Sequence, residues 1–225
     1  MTNFDPALFG KIAWEMSGAE IEAASFRRIE AELPDRAGLP PAQWRIARRL
    51  IHTTADFSLA ARLRFGGDPV AAGLAALRAG APIYADSMMI RSGISLAKLR
   101  RFFPGYGPER LHCYVADPRA AAAAREQGIA RSLAALELAR EILPGAIVLV
   151  GNAPLALAGI VRLAVTAGIR PRLVIGMPVG FVHVEEAKEL LLATDIPHVV
   201  LAGRRGGSPL AVATLHAIME SGEEL

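Results

Sequence analysis

The sequence predicts an α/β fold, a single domain in which a mostly parallel sheet is flanked by helices and preceded by a helical N-terminal region. From about residue 82 onward, short apolar runs alternate with helical segments, as in parallel sheets joined by crossover helices. Several of these runs lack polar alternation, which is typical of strands covered on both faces. No repeat, low-complexity tract or long linker interrupts the chain, so we expect one domain spanning residues 1–225.

The N-terminal region predicts three helices. Ser17 and Glu20 fit a capping box at the start of the first helix. The second helix begins at Pro41, which suits a first helical turn, and ends near His52. The third begins at Asp68, immediately before a proline. This part of the chain therefore contributes helices before the sheet begins.

The remaining elements follow from apolar runs and from Gly, Pro and Asp at their ends. The predicted strands are Pro82–Ala85, Leu111–Ala116, Ala146–Val150, Arg172–Ile175 and His198–Ala202. The predicted helices are Pro118–Gln127, Ala130–Leu143, Pro154–Ala167, Val184–Ala193 and Pro209–Glu220. Unusual segments rich in Gly and Pro follow the strands, such as GNAP at 151–154 and GRRGGS at 203–208. In a parallel sheet these segments share the carboxyl edge, where ligands of α/β folds bind.

Composition excludes several classes of protein. Hydrophobic residues make up 52% and charged residues 21%, the opposite of a disordered chain. The mean hydropathy is +0.33, but its most apolar window, 146–169, contains Asn, Pro and Arg and reads as a strand, a turn and a helix rather than as a membrane span. The segment MTNFDPALFGK lacks the pattern of a signal peptide, so we expect a cytoplasmic protein. Cys113 is the only cysteine, which excludes an internal disulfide.

The basic residues do not predict a nucleic-acid interface. The net charge is +3, and 22 of the 25 basic residues are arginine. Aromatic residues are only 6%, and the arginine pairs at 27–28, 48–49, 100–101 and 204–205 are scattered among helices. We expect these pairs on solvated helix faces, with some arginines serving an anionic ligand instead.

Common catalytic motifs are also missing. VLVGNAPLAL has the strand-turn-helix shape of a dinucleotide site but lacks the later glycines of GxGxxG, and there is no GxxxxGK[ST] segment. No pair of histidines has the spacing of a zinc site, and GxSxG is absent. We therefore expect no metal site, and Cys113 within an apolar run is predicted to be inert packing.

His52 in RRLIHTTADFS stands out as a side chain that can exchange a proton near neutral pH, although a histidine at a helix end is more often a cap or a core residue. Ordered segments along the chain together resemble the precorrin-8X methylmutases, including the cobalt-precorrin-8 form. The matching segments are ASFRRIE, RRLIHTTADFS, IYADSMMIRSGIS, ADPR, GIARSLAALELA, VGNAPLAL, GMPVGFVHVEEAKE and GRRGGSPLA.

The resemblance implies an isomerase of cobalamin biosynthesis that moves a methyl group from C-11 to C-12 of a contracted tetrapyrrole. It implies a homodimer, no external cofactor, and cobalt, if present, chelated in the substrate. The catalytic histidine of the family matches His52, which would be the general acid. The resemblance implies that Ser25 and Arg131 bind substrate, and Thr53 next to His52 is included with them. Asn152, Gly180 and Arg204 are further candidates, mainly because they follow the predicted strands.

Two alternatives remain open at this point: a tetrapyrrole carrier without catalysis, and a generic nucleotide-binding α/β enzyme. The chain departs from its relatives after GFV, where His183 and Glu186 replace smaller residues, so contacts at these two positions are left unassigned. The TTADF segment favours the cobalt-containing substrate. No membrane or nucleic-acid partner is expected.

Overall fold

The computed structural model describes residues 5–223 and has a central sheet with strands β1 to β6. The strands are β1 Leu63–Gly66, β2 Ile83–Ala85, β3 Leu111–His112, β4 Ile147–Val150, β5 Leu173–Gly176 and β6 His198–Leu201. Their spatial order is β1-β6-β5-β4-β2-β3. All neighbouring pairs are parallel except β1 with β6, where Leu63 lies opposite Leu201. The predicted α/β fold with a mostly parallel sheet is confirmed.

Helices cover both faces of this sheet. They are α1 Gly18–Glu32, α2 Pro41–Thr54, α3 Pro69–Arg78, α4 Met88–Gly93, α5 Leu96–Leu99, α6 Pro118–Gln127, α7 Arg131–Leu138, α8 Pro154–Ala167, α9 Val184–Leu192 and α10 Ser208–Glu223. In β4, Ile147 and Leu149 face a core formed with α2, α3, α4 and α10. Val148 and Val150 face a second core formed with α7, α8 and α9. The alternation of side chains along a strand thus divides the core in two.

The ends of the helices follow from local chemistry. The capping box of α1 is present: the backbone N–H of Ser17 donates to Glu20 at 2.8 Å, and the backbone N–H of Glu20 donates to the Ser17 hydroxyl at 3.3 Å. Asp68 accepts a hydrogen bond from the backbone N–H of Ala71 and caps α3. Helix α2 ends where Ala55 adopts the left-handed conformation, with φ 54°. Residues that satisfy exposed backbone groups therefore set these boundaries.

Some elements are shorter than predicted, and others were not predicted at all. The strand expected over Leu111–Ala116 ends at His112, because its only partner, β2, is itself three residues long. The helix expected over Ala130–Leu143 ends at Leu138, and tight turns lead from there to Pro144. Strand β1 and the short helices α4 and α5 were not predicted, since each is too short to show a clear period. In the part of the chain that the structure describes, no helix is long and apolar enough to cross a membrane.

Candidate active site

His52 lies in the last turn of α2, beside helix α1. The Ser25 hydroxyl is 2.7 Å from its Nδ1 atom, and the Phe26 ring packs edge-on with centroids 5.3 Å apart. Nε2, on the other side of the imidazole, has no hydrogen-bond partner among residues 5–223. When the ring is protonated, Nδ1–H donates to the Ser25 hydroxyl and orients the imidazole, and Nε2–H is left to give a proton to a ligand.

A cavity of about 580 Å³ opens beside His52, within the range of small-molecule sites. Three helix faces form it, one each from α2, α4 and α10. Its lining residues are Arg49, His52, Thr53, Met89, Gly93, Ser208, Pro209, Val212, Ala213 and His216. A smaller cavity of about 200 Å³ lies against His52 on the Ser25 side. The larger cavity is therefore the candidate active site.

A network of charged side chains borders this cavity. Arg49 is only 8% exposed and pairs with Glu22 at 3.0 Å and Glu220 at 2.7 Å. Lys98 also contacts Glu220, at 3.0 Å. The expectation that the 48–49 arginine pair lies on a solvated helix face is therefore wrong. The carboxylates of Glu22 and Glu220 offset the cost of burying the charge of Arg49. Because both lie far from Arg49 in the sequence, no local pattern revealed these pairs.

Asp86 fills the position where a nucleotide phosphate would bind in a fold with this strand order. Its carboxylate accepts hydrogen bonds from the backbone N–H groups of Gly151, Asn152 and Ala153, at 3.1, 2.8 and 2.6 Å. These groups precede helix α8, at the point between β2 and β4 where the order of the strands reverses. Burial raises the pKa of Asp86, and the three N–H groups partly offset this. This internal carboxylate argues against the nucleotide-binding alternative.

The loops after β5 and β6 are joined along the carboxyl edge. The backbone N–H of Gly180 donates to the carbonyl of Arg204 at 3.2 Å. A Cβ atom on Gly206 would lie 2.2 Å from the carbonyl oxygen of Met177, so only glycine allows this approach. Buried Lys188 donates to the carbonyls of Gly203 and Arg205 at 2.6 and 2.7 Å, and burial lowers its pKa to about 8. The two loops thus form one fixed unit.

The structure brings only some of the predicted site residues together. Ser25, His52 and Thr53 lie at the cavities, and the Thr53 hydroxyl donates to the carbonyl of Arg49 at 2.8 Å. Asn152, Gly180 and Arg204 lie at the carboxyl edge but do not line the larger cavity, and the Arg204 side chain contacts Glu185 at 3.1 Å. Arg131 is exposed at the start of α7, on the other face of the sheet from α2. All six predicted substrate contacts remain predictions.

Other residues singled out in the sequence have ordinary positions. His183 precedes α9 with a left-handed backbone, and Glu186 is exposed in the first turn of that helix. Cys113 is partly buried, and burial raises the pKa of its thiol, in keeping with inert packing. No group of three or more His, Cys, Asp or Glu side chains in residues 5–223 is arranged to hold a metal ion.

Most residues that line the cavity were not predicted, Arg49 and His216 among them, and neither was the buried contact of Asp86. The only local signal for His216 was its spacing. With Pro209, Val212 and Ala213 it repeats at positions three, four and seven residues apart, as on one face of a helix. That spacing identifies a face but not the helices that meet it, so the sequence could not place His216 beside His52.

Replacing Ser25 with alanine is expected to lower the rate of turnover about 10- to 100-fold. A hydrogen bond to a charged group contributes about 1.5–3 kcal/mol, and the protonated His52 ring would lose one at Nδ1. Single-turnover absorption measurements on the proposed substrate would give the rate. Ser25→Thr, which keeps a hydroxyl, should retain most of it. Equal rates for S25A and the unsubstituted protein would contradict the orienting role.

Comparisons with known proteins identify the family of the chain. The chain matches the Precorrin-8X methylmutase family over residues 20–221. It is 39% identical over 204 residues to the cobalt-precorrin-8 methylmutase of Salmonella typhimurium, covering 88% of this chain and 93% of that protein. It is 38% identical over 203 residues to the precorrin-8X methylmutase of Pseudomonas aeruginosa, covering 89% and 94%.

A solved structure shows the same fold. The precorrin-8x methyl mutase of Thermus thermophilus superimposes with a TM-score of 0.82 and 43% sequence identity, covering 92% of this chain and 97% of that one. Sequence and fold agree over nearly the whole length. The chain therefore belongs to the precorrin-8X methylmutase family and is an isomerase of cobalamin biosynthesis.

Proposed function

We propose that this isomerase moves a methyl group from C-11 to C-12 of precorrin-8 or cobalt-precorrin-8, giving hydrogenobyrinate or cobyrinate. His52 acts as the general acid. The observation that carries the proposal is the His52 imidazole, held at Nδ1 by Ser25 beside a cavity of about 580 Å³. The names of relatives supply the substrate class, since both forms of precorrin-8 occur among them.

In this mechanism Nε2 of His52 protonates the macrocycle and so promotes the methyl shift. Substrate and product are isomers, so the macrocycle releases one proton for each that it receives, and the imidazole recovers its acid form. The methyl group moves within the substrate, and the reaction consumes no external donor. A positioned acid typically contributes about 10²–10⁴ in rate, and much of the remainder comes from holding the reacting carbons in place.

The cavity suits a disc-shaped ligand with charged edges. Pro209, Val212 and Ala213 of α10 provide an apolar wall, and Met89 of α4 is exposed at the same cavity. The face of the macrocycle would lie on this wall, while its acetate and propionate groups would reach polar residues at the ends.

The test is direct conversion of substrate. The purified protein is mixed with metal-free precorrin-8 in one assay and with cobalt-precorrin-8 in a parallel assay. Absorption spectra follow the reaction, and NMR of a labelled methyl carbon identifies its position. We expect many turnovers per protein with at least one substrate, and the faster assay identifies the natural one. A carrier would return both substrates unchanged, and that result would refute the proposal.

We also propose that the protein acts as a homodimer in the cytoplasm. Phe9, Ile12, Trp14, Met16 and Ile21 form an exposed apolar stretch next to the cavity that Ser25 lines. A second copy of the chain would bury such a stretch. Light scattering should give a particle mass of about twice the chain mass of 23.9 kDa. Replacing Trp14 with Glu should lower the measured particle mass toward that of one chain. A monomer at micromolar concentration would contradict the dimer.

A further inference from the structure

His216 lies at the end of the apolar wall that α10 presents to the cavity. Pro209, Val212 and Ala213 precede it on the same helix face, and His52 lines the same cavity from α2. The methyl shift described above gives His216 no role. A ligand whose flat face lies on the wall would place its edge beside this imidazole.

One ring nitrogen of His216 is already engaged. Nε2 is 3.4 Å from the backbone nitrogen of Ser95, and a backbone N–H can only donate, so Nε2 is the acceptor. The proton of the neutral ring is therefore on Nδ1. The ring has no other hydrogen-bond partner within residues 5–223. His216 thus retains one N–H that the fold does not use.

The surroundings keep His216 neutral and favour an anion beside it. Burial, together with the nearby charges of Lys98 and Arg49, lowers the pKa of His216 to about 4, whereas Glu22 opposes this shift. Glu220, from the next turn of α10, pairs with both cations. Cations that disfavour an imidazolium also stabilise a carboxylate at the same place. A neutral N–H donor beside buried Arg49 and partly buried Lys98 suits such a group, although Glu22 and Glu220 already pair with these cations.

We propose that His216 is a substrate-binding residue whose Nδ1–H donates a hydrogen bond to a carboxylate on the rim of the macrocycle. The inference rests on the proposed function, because it requires a tetrapyrrole in the cavity. It adds a contact at the far end of the apolar wall from Ser208, the residue at which α10 begins. This contact fixes the rotation of the disc relative to His52.

Two substitutions of His216 test the contributions of its two ring nitrogens, Nδ1 and Nε2, separately. In His216→Asn the amide group occupies the position of Nδ1, so the donor is kept and the acceptor for Ser95 is lost. In His216→Gln the amide reaches the position of Nε2, so the acceptor is kept and the donor is lost. The dissociation constant of the product, from absorption titration, and the thermal midpoint of unfolding are measured for both variants.

We expect H216Q to unfold close to the temperature of the unsubstituted protein and to bind product about 10- to 100-fold more weakly. H216N should bind product within about threefold and unfold at a lower temperature. Product binding by H216Q that is as tight as that of the unsubstituted protein overturns the inference, even if H216N fails to fold. Equal weakening in both variants also overturns it.

The unsubstituted protein is assayed first for turnover and product binding. If the unsubstituted protein neither turns over substrate nor binds product, the proposed function is overturned together with this inference. Success of both with unchanged binding by H216Q overturns the role of His216 alone.

Discussion

His52→Ala is expected to lower the single-turnover rate about 10²–10⁴-fold while leaving the protein folded. The substitution removes the proton donor, and general acid catalysis typically contributes that factor. The ring is only partly buried at the end of α2, and its contacts are the Ser25 hydroxyl and the Phe26 ring, so its loss should disturb the core little. Product affinity should change less than tenfold, because the apolar wall of the cavity remains. Absorption spectra after rapid mixing provide both quantities.

The matched control is His112→Asn. His112 is a partly buried histidine on β3, where its Nδ1 is 3.1 Å from the Tyr114 hydroxyl, and it does not line the cavity. Its substitution should leave the rate within about threefold. If H52A turned over substrate as fast as H112N, the proton would have to come from another group.

Asp86→Ala is expected to reduce the free energy of unfolding by about 3 kcal/mol. The substitution leaves the backbone N–H groups of Gly151, Asn152 and Ala153 without their acceptor, and each unsatisfied buried donor costs about 1–3 kcal/mol. Removing a carboxylate whose pKa is raised by burial recovers part of this cost, so the net effect is smaller than the sum. Urea denaturation measures the change as a lower midpoint with an unchanged slope.

Asp117 provides the comparison for Asp86. Like Asp86, it accepts a hydrogen bond from a backbone N–H, that of Arg119 at 2.8 Å, but it caps α6 at the surface. Its replacement with alanine should cost about 1 kcal/mol, as for other helix caps. Equal losses in the two variants would show that the buried position of Asp86 and its three donors add nothing.

Much of the fold could be predicted because parallel strands and their helices leave local patterns. The apolar run of β4 and the proline that begins α8 are examples. The strand order could not be predicted, since it depends on which strands pair across long connections. Strand β1 was missed for the same reason: LRFG becomes a strand only by pairing with β6.

Those site residues that lie in segments resembling a known family could be predicted. Contacts between residues far apart in the sequence could not. Ser25 and His52 came from the resemblance, and the structure places their side chains in contact. Arg49 meets Glu220, 171 residues away, and no local pattern encodes that pair. Asp86 and His216 were missed because their hydrogen-bond partners are backbone N–H groups on other elements.

The Ser25–His52 hydrogen bond lies entirely between α1 and α2, a helical hairpin that precedes every strand of the sheet. The distance from the Ser25 hydroxyl to the His52 ring is set within some thirty consecutive residues and without help from the strand-end loops. Changes in the length or sequence of those loops should therefore leave the Ser25–His52 contact in place. The geometry of this pair is a property of the hairpin and not of the sheet.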